Sequence, residues 1–222
     1  RAGVVLEFDE GGSRSKSDGP AKDEIFKANE DAAVRFQKEL QQSPEAELAR
    51  AYLQGRALDL DAWKEWGIGY APDGWGFLSD KAGGRGSARM KALEAAGLVL
   101  TNEKGNLYDR FRGRVMFTIR DELGRAVGFS GRILKPDEKS GGKYVNTPET
   151  SVFRKSKILF GLDKGKREIL DQRQVLLVEG QLDCIRCHLG GFSTAVASQG
   201  TVFTEEHTIL ILGKKETLEQ FY

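Results

Sequence analysis

Residues 175–191, VLLVEGQLDCIRCHLGG, carry two competing chemistries. Counted from Cys184 they contain Cys-Ile-Arg-Cys-His, the spacing that attaches a c-type haem. Counted from Val175 they form an apolar run that ends on Glu179 and Gly180, with Asp183 four residues beyond Glu179. That is the pattern of a strand delivering an acidic pair to a metal, because the working residues of an open parallel sheet lie past the carboxyl ends of its strands. A glutamate that ends a buried apolar strand needs such a reason. Asp183 falls in the first turn of the following helix, where a carboxylate is also favoured simply as a cap at the positive end of the dipole.

The haem reading fails on context. Covalent haem attachment belongs to export compartments, no leader is expected here, and the two methionines, Met90 and Met116, lie far upstream as potential axial ligands. Helical spacing explains the motif at lower cost: Leu182, Ile185 and Leu189 would face the sheet, with Cys184 and Cys187 as small hydrophobes at its flank. A zinc site would need a second ligand pair, and a redox dithiol a different placement.

The second chemical signal is charge. Over residues 104–167 there are 16 Lys and Arg against 7 Asp and Glu, although the whole chain is only +1. That segment is a candidate polyanion surface. Within it, RFRGRVMFTIR and RAVGFSGRIL read as two strands around the turn DELG. Alternation would place Arg110, Arg112 and Arg114 on one side and Phe111, Val115 and Phe117 on the other, with Arg132 on the partner strand, a phosphate-binding face. Lys143, Asn146, Arg154, Lys155 and Lys157 continue the basic character through a loop that Asn146-Thr147-Pro148 and Ser151 can order.

The elements that must position these groups follow from periodicity. Residues 9–23 read as a linker. Helical spacing runs through Ile25, Ala28, Ala32, Ala33 and Phe36, and a second helix opens at Ser43-Pro44-Glu45. A third, DLDAWKEWG, is capped by Asp59 or Asp61, and a fourth spans Ser87 to Ala96 and closes at Gly97. IGYAPDGWGF between them reads as a turn-rich connection, so this region is expected to be a helical cap. After the basic hairpin, DKGKREILDQRQ, VLLVEG, QLDCIRCHLG, STAVAS and TEEHTILIL alternate helix and strand, which implies a parallel sheet.

At 222 residues with 39% hydrophobic content the chain can fill a core, and no apolar run is long enough to span a bilayer. Two cysteines three positions apart make no disulfide framework, so a reducing cytoplasm is the expected compartment. The opening on Arg1 leads us to expect a fragment preceded by another domain.

Four ordered blocks, DRFRGRVMFTIRDELGRAVGFSGRIL, KYVNTPETSVFRKSKILFGL, LLVEGQLD and AVASQGT, resemble the RNA-polymerase core of bacterial DnaG-type DNA primases, which ends in a Toprim fold. The resemblance covers most of residues 24–207. It implies a mixed α+β and α/β architecture: a linker at 1–23, a basic template-binding subdomain of helices and mixed sheet at 24–160, and a partial Toprim-like parallel-sheet subdomain at 161–222. It implies template-directed RNA primer synthesis from ribonucleoside triphosphates on single-stranded DNA, in a monomer that reaches a replicative helicase through a further C-terminal domain. Mg²⁺ or Mn²⁺ is the implied cofactor, with zinc confined to a domain upstream.

Residue by residue, the resemblance assigns Glu179 and Asp183 to the catalytic metal site and Lys143, Asn146 and Lys155 to the basic cleft beside it, with Lys143 and Lys155 counted among the catalytic residues. Arg110, Arg112 and Arg132 fall on the template and nucleotide surface. Arg56, in AYLQGRAL, matches the arginine of a Tyr-Leu-x-x-Arg-Gly-Leu block linked to single-stranded DNA, with Ala57 in place of the glycine. Gln181 stands where an aromatic residue is usual, and Thr118 where proline is common. Expected Asp-x-Asp blocks on later strands are absent from the chain, so Glu179 and Asp183 would be half of a metal site and the fragment inactive alone. Two other classes share these features: a Toprim nuclease or topoisomerase fragment, and a noncatalytic single-stranded-DNA-binding module. An Asp-x-Asp after an apolar strand downstream would separate primase from binder.

Overall fold

The computed structural model describes residues 19–135, 142–200 and 203–212. Its centre is a four-stranded antiparallel sheet in the order β1-β4-β5-β6: β1 (Ile68–Ala71), β4 (Arg114–Arg120), β5 (Ala126–Ile133) and β6 (Tyr144–Asn146). A short hairpin, β2 (Val99–Thr101) with β3 (Leu107–Asp109), stands apart from it. The turn between β4 and β5 is set by Asp121, whose carboxylate accepts the N–H groups of Leu123 and Arg125.

Because strand residues alternate, the central sheet has two faces with different cores. One carries Met116 and Phe129 and is covered by α1 (Lys22–Gln42) and α4 (Ala88–Ala95). Phe36 of α1 meets Phe129 edge-on at 5.5 Å. The approach is close enough that a Cβ on Gly69 of β1 would come 2.5 Å from the Phe36 Cβ and 2.6 Å from its carbonyl carbon. Arg120 clamps α1 from the strand end with two 3.0 Å bonds to the Glu30 carboxylate.

The other face carries Val115, Phe117 and Ile119. It packs on α2 (Glu47–Gln54), α3 (Leu60–Glu65) and a second layer formed by the downstream αβ units. That layer holds α5 (Leu162–Gln172), β7 (Leu176–Val178), α6 (Gln181–Leu189), β8 (Ala195–Ala197) and α7 (Glu205–Leu212). β7 and β8 pair in parallel, Leu176 with Ala195 through Val178 with Ala197. Phe160, bridged to Ala197, stacks on Trp66 at 5.5 Å and so joins the two layers in one core.

The mixed α/β architecture, the parallel pairing and the helices follow the sequence expectation, with Asp59 and Ser87 as the caps of α3 and α4. Three local readings change. Residues 68–71 form β1 rather than a connection, so the region before the basic hairpin is not purely helical. Arg110 to Gly113 lie outside β4, since Gly113 adopts a left-handed φ of 59° that ends extended pairing. In α6, Ile185 and Cys184 are fully buried while Leu189 is half exposed, so the cysteine rather than the leucine fills the inner face. The loop KPDEKSGG lies largely outside the described residues, as do the first residues of the 9–23 segment.

Candidate nucleic-acid interface and acidic strand end

Glu179 stands where the sequence places it, directly after β7 and exposed. Gly180 turns the chain into α6, and Asp183 sits exposed in the first turn. The Asp183 carboxylate folds back over that turn: a Cβ at Gly180 would lie 3.4 Å from its Oδ2. Both carboxylates are exposed at the carboxyl end of the parallel pair.

Next to them a chain of amides links the two layers. Gln181 is buried, and its Nε2 donates to Gln199 Oε1 at 3.0 Å in the loop after β8. Asn146 Nδ2 donates to the Gln199 carbonyl at 3.4 Å, and Arg110 Nε donates to the Asn146 carbonyl at 3.3 Å. Arg110 is thereby brought from the hairpin approach to the end of β6. Burial pulls its pKa below the usual guanidinium range.

Arg132 anchors the adjoining surface. Its Nη1 donates to the Tyr144 hydroxyl at 3.0 Å, and its Cζ lies 4.6 Å from the Tyr52 ring centroid and 5.3 Å from that of Tyr144. Arg56 lies 5.6 Å over the other occupant of that cluster, Tyr52, whose hydroxyl is pushed up by burial against the opposing pull of Arg132. The Arg56 carbonyl accepts Arg186 Nη1 of α6 at 2.8 Å, tying the cluster to the acidic layer. Ala57 adopts a left-handed φ of 53°, which explains why a glycine suits that position.

Ser130 Oγ, Arg132 Nε, Asn146 Oδ1 and Gln199 Nε2 are all buried with no hydrogen-bond partner among the described residues. Register puts Ser130 opposite Asn146 and Arg132 opposite Tyr144, so three of these atoms share one face of β5 and β6.

The three-arginine row does not form. Arg114 is on the opposite face from Arg132, buried, with its Nη1 donating to the carbonyls of Gly131 and Gly142 at 3.0 and 3.2 Å. Arg112 donates to the Asp109 carbonyl and stacks on Trp75. Lys143 is exposed just before β6, where its carbonyl accepts the Ile133 N–H at 3.0 Å, so strand alternation aligns it with Ile133 and not with the Arg132–Tyr144 face. Lys155 lies in a short 3-10 turn whose main chain is fixed by Glu149 and by His207 of α7 at 3.1 and 2.9 Å, and no hydrogen bond joins its side chain to Glu179 or Asp183 among the described residues. Sequence reasoning missed Tyr52, Tyr144, Ser130 and Gln199; aromatic residues near arginines were a usable signal, whereas the amide pairing exists only in the fold.

Cys184 Sγ contacts the carbonyls of Ala195 and Phe160 at 3.3 and 3.6 Å, and burial pushes its pKa up. His188 Nε2 is hydrogen-bonded to the Ala195 carbonyl at 2.9 Å and packs edge-on against Trp66 at 4.9 Å. Cys184 and His188 of the haem-like motif are therefore committed to packing, and Cys187 is partly buried at the edge of the same core.

The family described as DNA primase catalytic core, N-terminal domain, matches residues 35–166, well over half of the chain. The chain belongs to this family. A DNA primase of Deinococcus radiodurans is 48% identical over 160 residues, covering 72% of this chain and 28% of that protein. The RNA polymerase domain of Mycobacterium tuberculosis primase DnaG, in complex with a double-stranded DNA oligomer with a 6-nucleotide overhang, matches with a TM-score of 0.80 at 40% identity. That alignment covers 87% of this chain and 61% of that one. A DnaG primase catalytic domain bound to ssDNA matches with a TM-score of 0.78 at 37% identity over 86% of this chain and 60% of that one. The primase-core chain spans roughly a third of the length of the curated relatives it matches. No described helix is long and apolar enough to cross a membrane.

Proposed function

We propose that this chain is the template-binding part of a DNA primase, an RNA-synthesising nucleotidyltransferase working on single-stranded DNA with ribonucleoside triphosphates. The observation that carries the reading is the Arg132–Tyr144–Tyr52–Arg56 cluster, tied through the Arg186–Arg56 bond to α6, the helix that follows Glu179 and carries Asp183. Arginine forks bind phosphates, ring faces accept bases without regard to sequence, Asn146 extends the same face, and Lys143 adds charge at the β6 edge.

Glu179 and Asp183 offer the hard oxygen donors that Mg²⁺ or Mn²⁺ takes. They fit in kind but not in number: among the described residues no group of three or more His, Cys, Asp or Glu side chains gathers to hold a metal ion. Bound divalent cations would neutralise triphosphate charge in phosphoryl transfer. The chain's own residues hold and orient the template and supply two carboxylates, and further donors belong to other parts of a full-length primase. In the full-length parent protein, Glu179→Gln keeps size while removing charge, so primer synthesis should fall by orders of magnitude with single-strand affinity retained. Near-normal synthesis by that variant would overturn the acidic-site assignment, and single-strand affinity without any primer synthesis in the unaltered parent would favour the noncatalytic binding module.

A further inference from the structure

His207 is fully buried in the first turn of α7, and both its ring nitrogens are taken by main chain. Nδ1 accepts the Thr204 N–H at 3.1 Å, and because an amide N–H can only donate, the ring proton sits on Nε2. Nε2 then donates to the Lys155 carbonyl at 2.9 Å, 52 positions back in the chain. The Thr204 hydroxyl completes the arrangement: its Oγ1 accepts the His207 N–H at 3.3 Å and donates to the Ser156 carbonyl at 3.2 Å. Thr204 and His207 thus cap a helix and, with the same two side chains, grip a turn on another element.

That turn is Lys155–Lys157. The Lys155 N–H donates to Glu149 Oε1 at 3.1 Å, so both main-chain groups of Lys155 are fixed by flanking segments. Its ammonium is not: among the described residues it has no hydrogen-bond or ion-pair partner, whereas Lys157, Lys164 and Lys166 are each paired with a carboxylate. A lysine stem is flexible, so the reach of that charge is set by the main chain from which it hangs. The grip of α7 on the turn decides where the Lys155 ammonium can go.

We infer that His207, with Thr204, is a positioning residue for Lys155: it fixes the turn from which that ammonium meets a phosphate, either of the template strand or of a nucleoside triphosphate. This rests on the reading of Lys155 as part of the basic cleft, and adds to it a group on α7 that acts through Lys155 without touching a ligand.

Anisotropy of labelled oligothymidylate and calorimetric titration with ATP test it on this chain. Lys155→Ala should weaken the ligand whose phosphate it meets; for the strand the loss is about fivefold at 0.1 M salt, from a log–log salt slope flattened by about 0.7. His207→Leu should weaken the same ligand by the same factor. The double variant should be no weaker than either, since a residue that acts through Lys155 then has nothing left to act on. Two amides separate positioning from packing. Gln places its amide nitrogen where Nε2 stood and keeps the Lys155 bond, whereas Asn places its amide oxygen where Nδ1 stood and keeps only the cap. His207→Gln should therefore bind like the unaltered chain and His207→Asn like Lys155→Ala, both with unchanged circular dichroism spectra. Additive losses in the double variant, or amides that rank alike or in reverse, overturn the positioning role, and the two amides decide it if His207→Leu fails to fold. Normal binding of both ligands by Lys155→Ala overturns the cleft assignment and this inference with it, while a weakened Arg132→Ala leaves the strand-binding reading standing. Absence of binding to either ligand by the unaltered chain overturns all three.

Discussion

Arg132→Ala removes the guanidinium that stands between two aromatic rings and donates to the Tyr144 hydroxyl. Two consequences separate. For folding, the loss is one neutral-acceptor hydrogen bond and two partly exposed cation–π contacts, about 1–2 kcal/mol together. In a domain of this size that lowers the melting temperature by about 2–8 °C. For binding, loss of one phosphate contact should flatten the slope of log affinity against log salt by about 0.7. Carried over one decade of salt, a slope difference of that size is about fivefold in affinity. The variant should therefore bind about five times more weakly than the unaltered chain at 0.1 M salt and approach parity at 1 M. Fluorescence anisotropy of a labelled oligothymidylate across a salt series measures both. Arg132→Lys keeps the charge and should keep the slope while losing part of the affinity, because an ammonium cannot form the planar fork. Parallel salt lines for Arg132→Ala and the unaltered protein would refute the phosphate contact.

Gly69→Ala drives a Cβ into the main chain of Phe36, an overpacking that rotamer changes cannot relieve, and should cost about 3 kcal/mol, read as a melting temperature lowered by about 6–12 °C. Ala57→Gly relieves a left-handed backbone and should stabilise by about 0.5–1 kcal/mol in chemical denaturation without altering single-strand affinity. A thiol reagent at neutral pH should modify Cys187 and spare Cys184, whose thiol is buried and held protonated, and the purified protein should show no Soret band; rapid modification of both would contradict the packing of α6. In the full-length parent, Asp183→Asn should cut primer synthesis as Glu179→Gln does if it shares the metal, and only mildly if it serves the helix dipole.

Much of this was legible before any coordinates. The apolar run into Glu179 specified a strand end, and helical spacing put the Cys-Ile-Arg-Cys-His run in a helix, α6, although it set Leu189 rather than Cys184 inward. β1 was not legible, because four residues containing a glycine and followed by Pro72 carry turn chemistry; tertiary pairing with β4 and the close approach of α1 make them a strand. The arginine row failed for a local reason, the left-handed Gly113, and a tertiary one, the carbonyls that draw Arg114 inward. The contact of Asn146 with Gln199 joins residues 53 positions apart, which periodicity cannot report.

The central claim is that a single strand lies on the Arg132 face and passes the acidic end of β7. An iron–EDTA group tethered at position 179, in a Glu179→Cys variant that also carries Cys187→Ser, tests it most directly, since Cys184 is buried and leaves one reactive thiol. Bound end-labelled oligonucleotide should be cleaved within a narrow window of a few nucleotides, and Arg132→Ala should diminish that cleavage in step with affinity. Uniform cleavage along the strand, or none at saturating protein, would contradict the account.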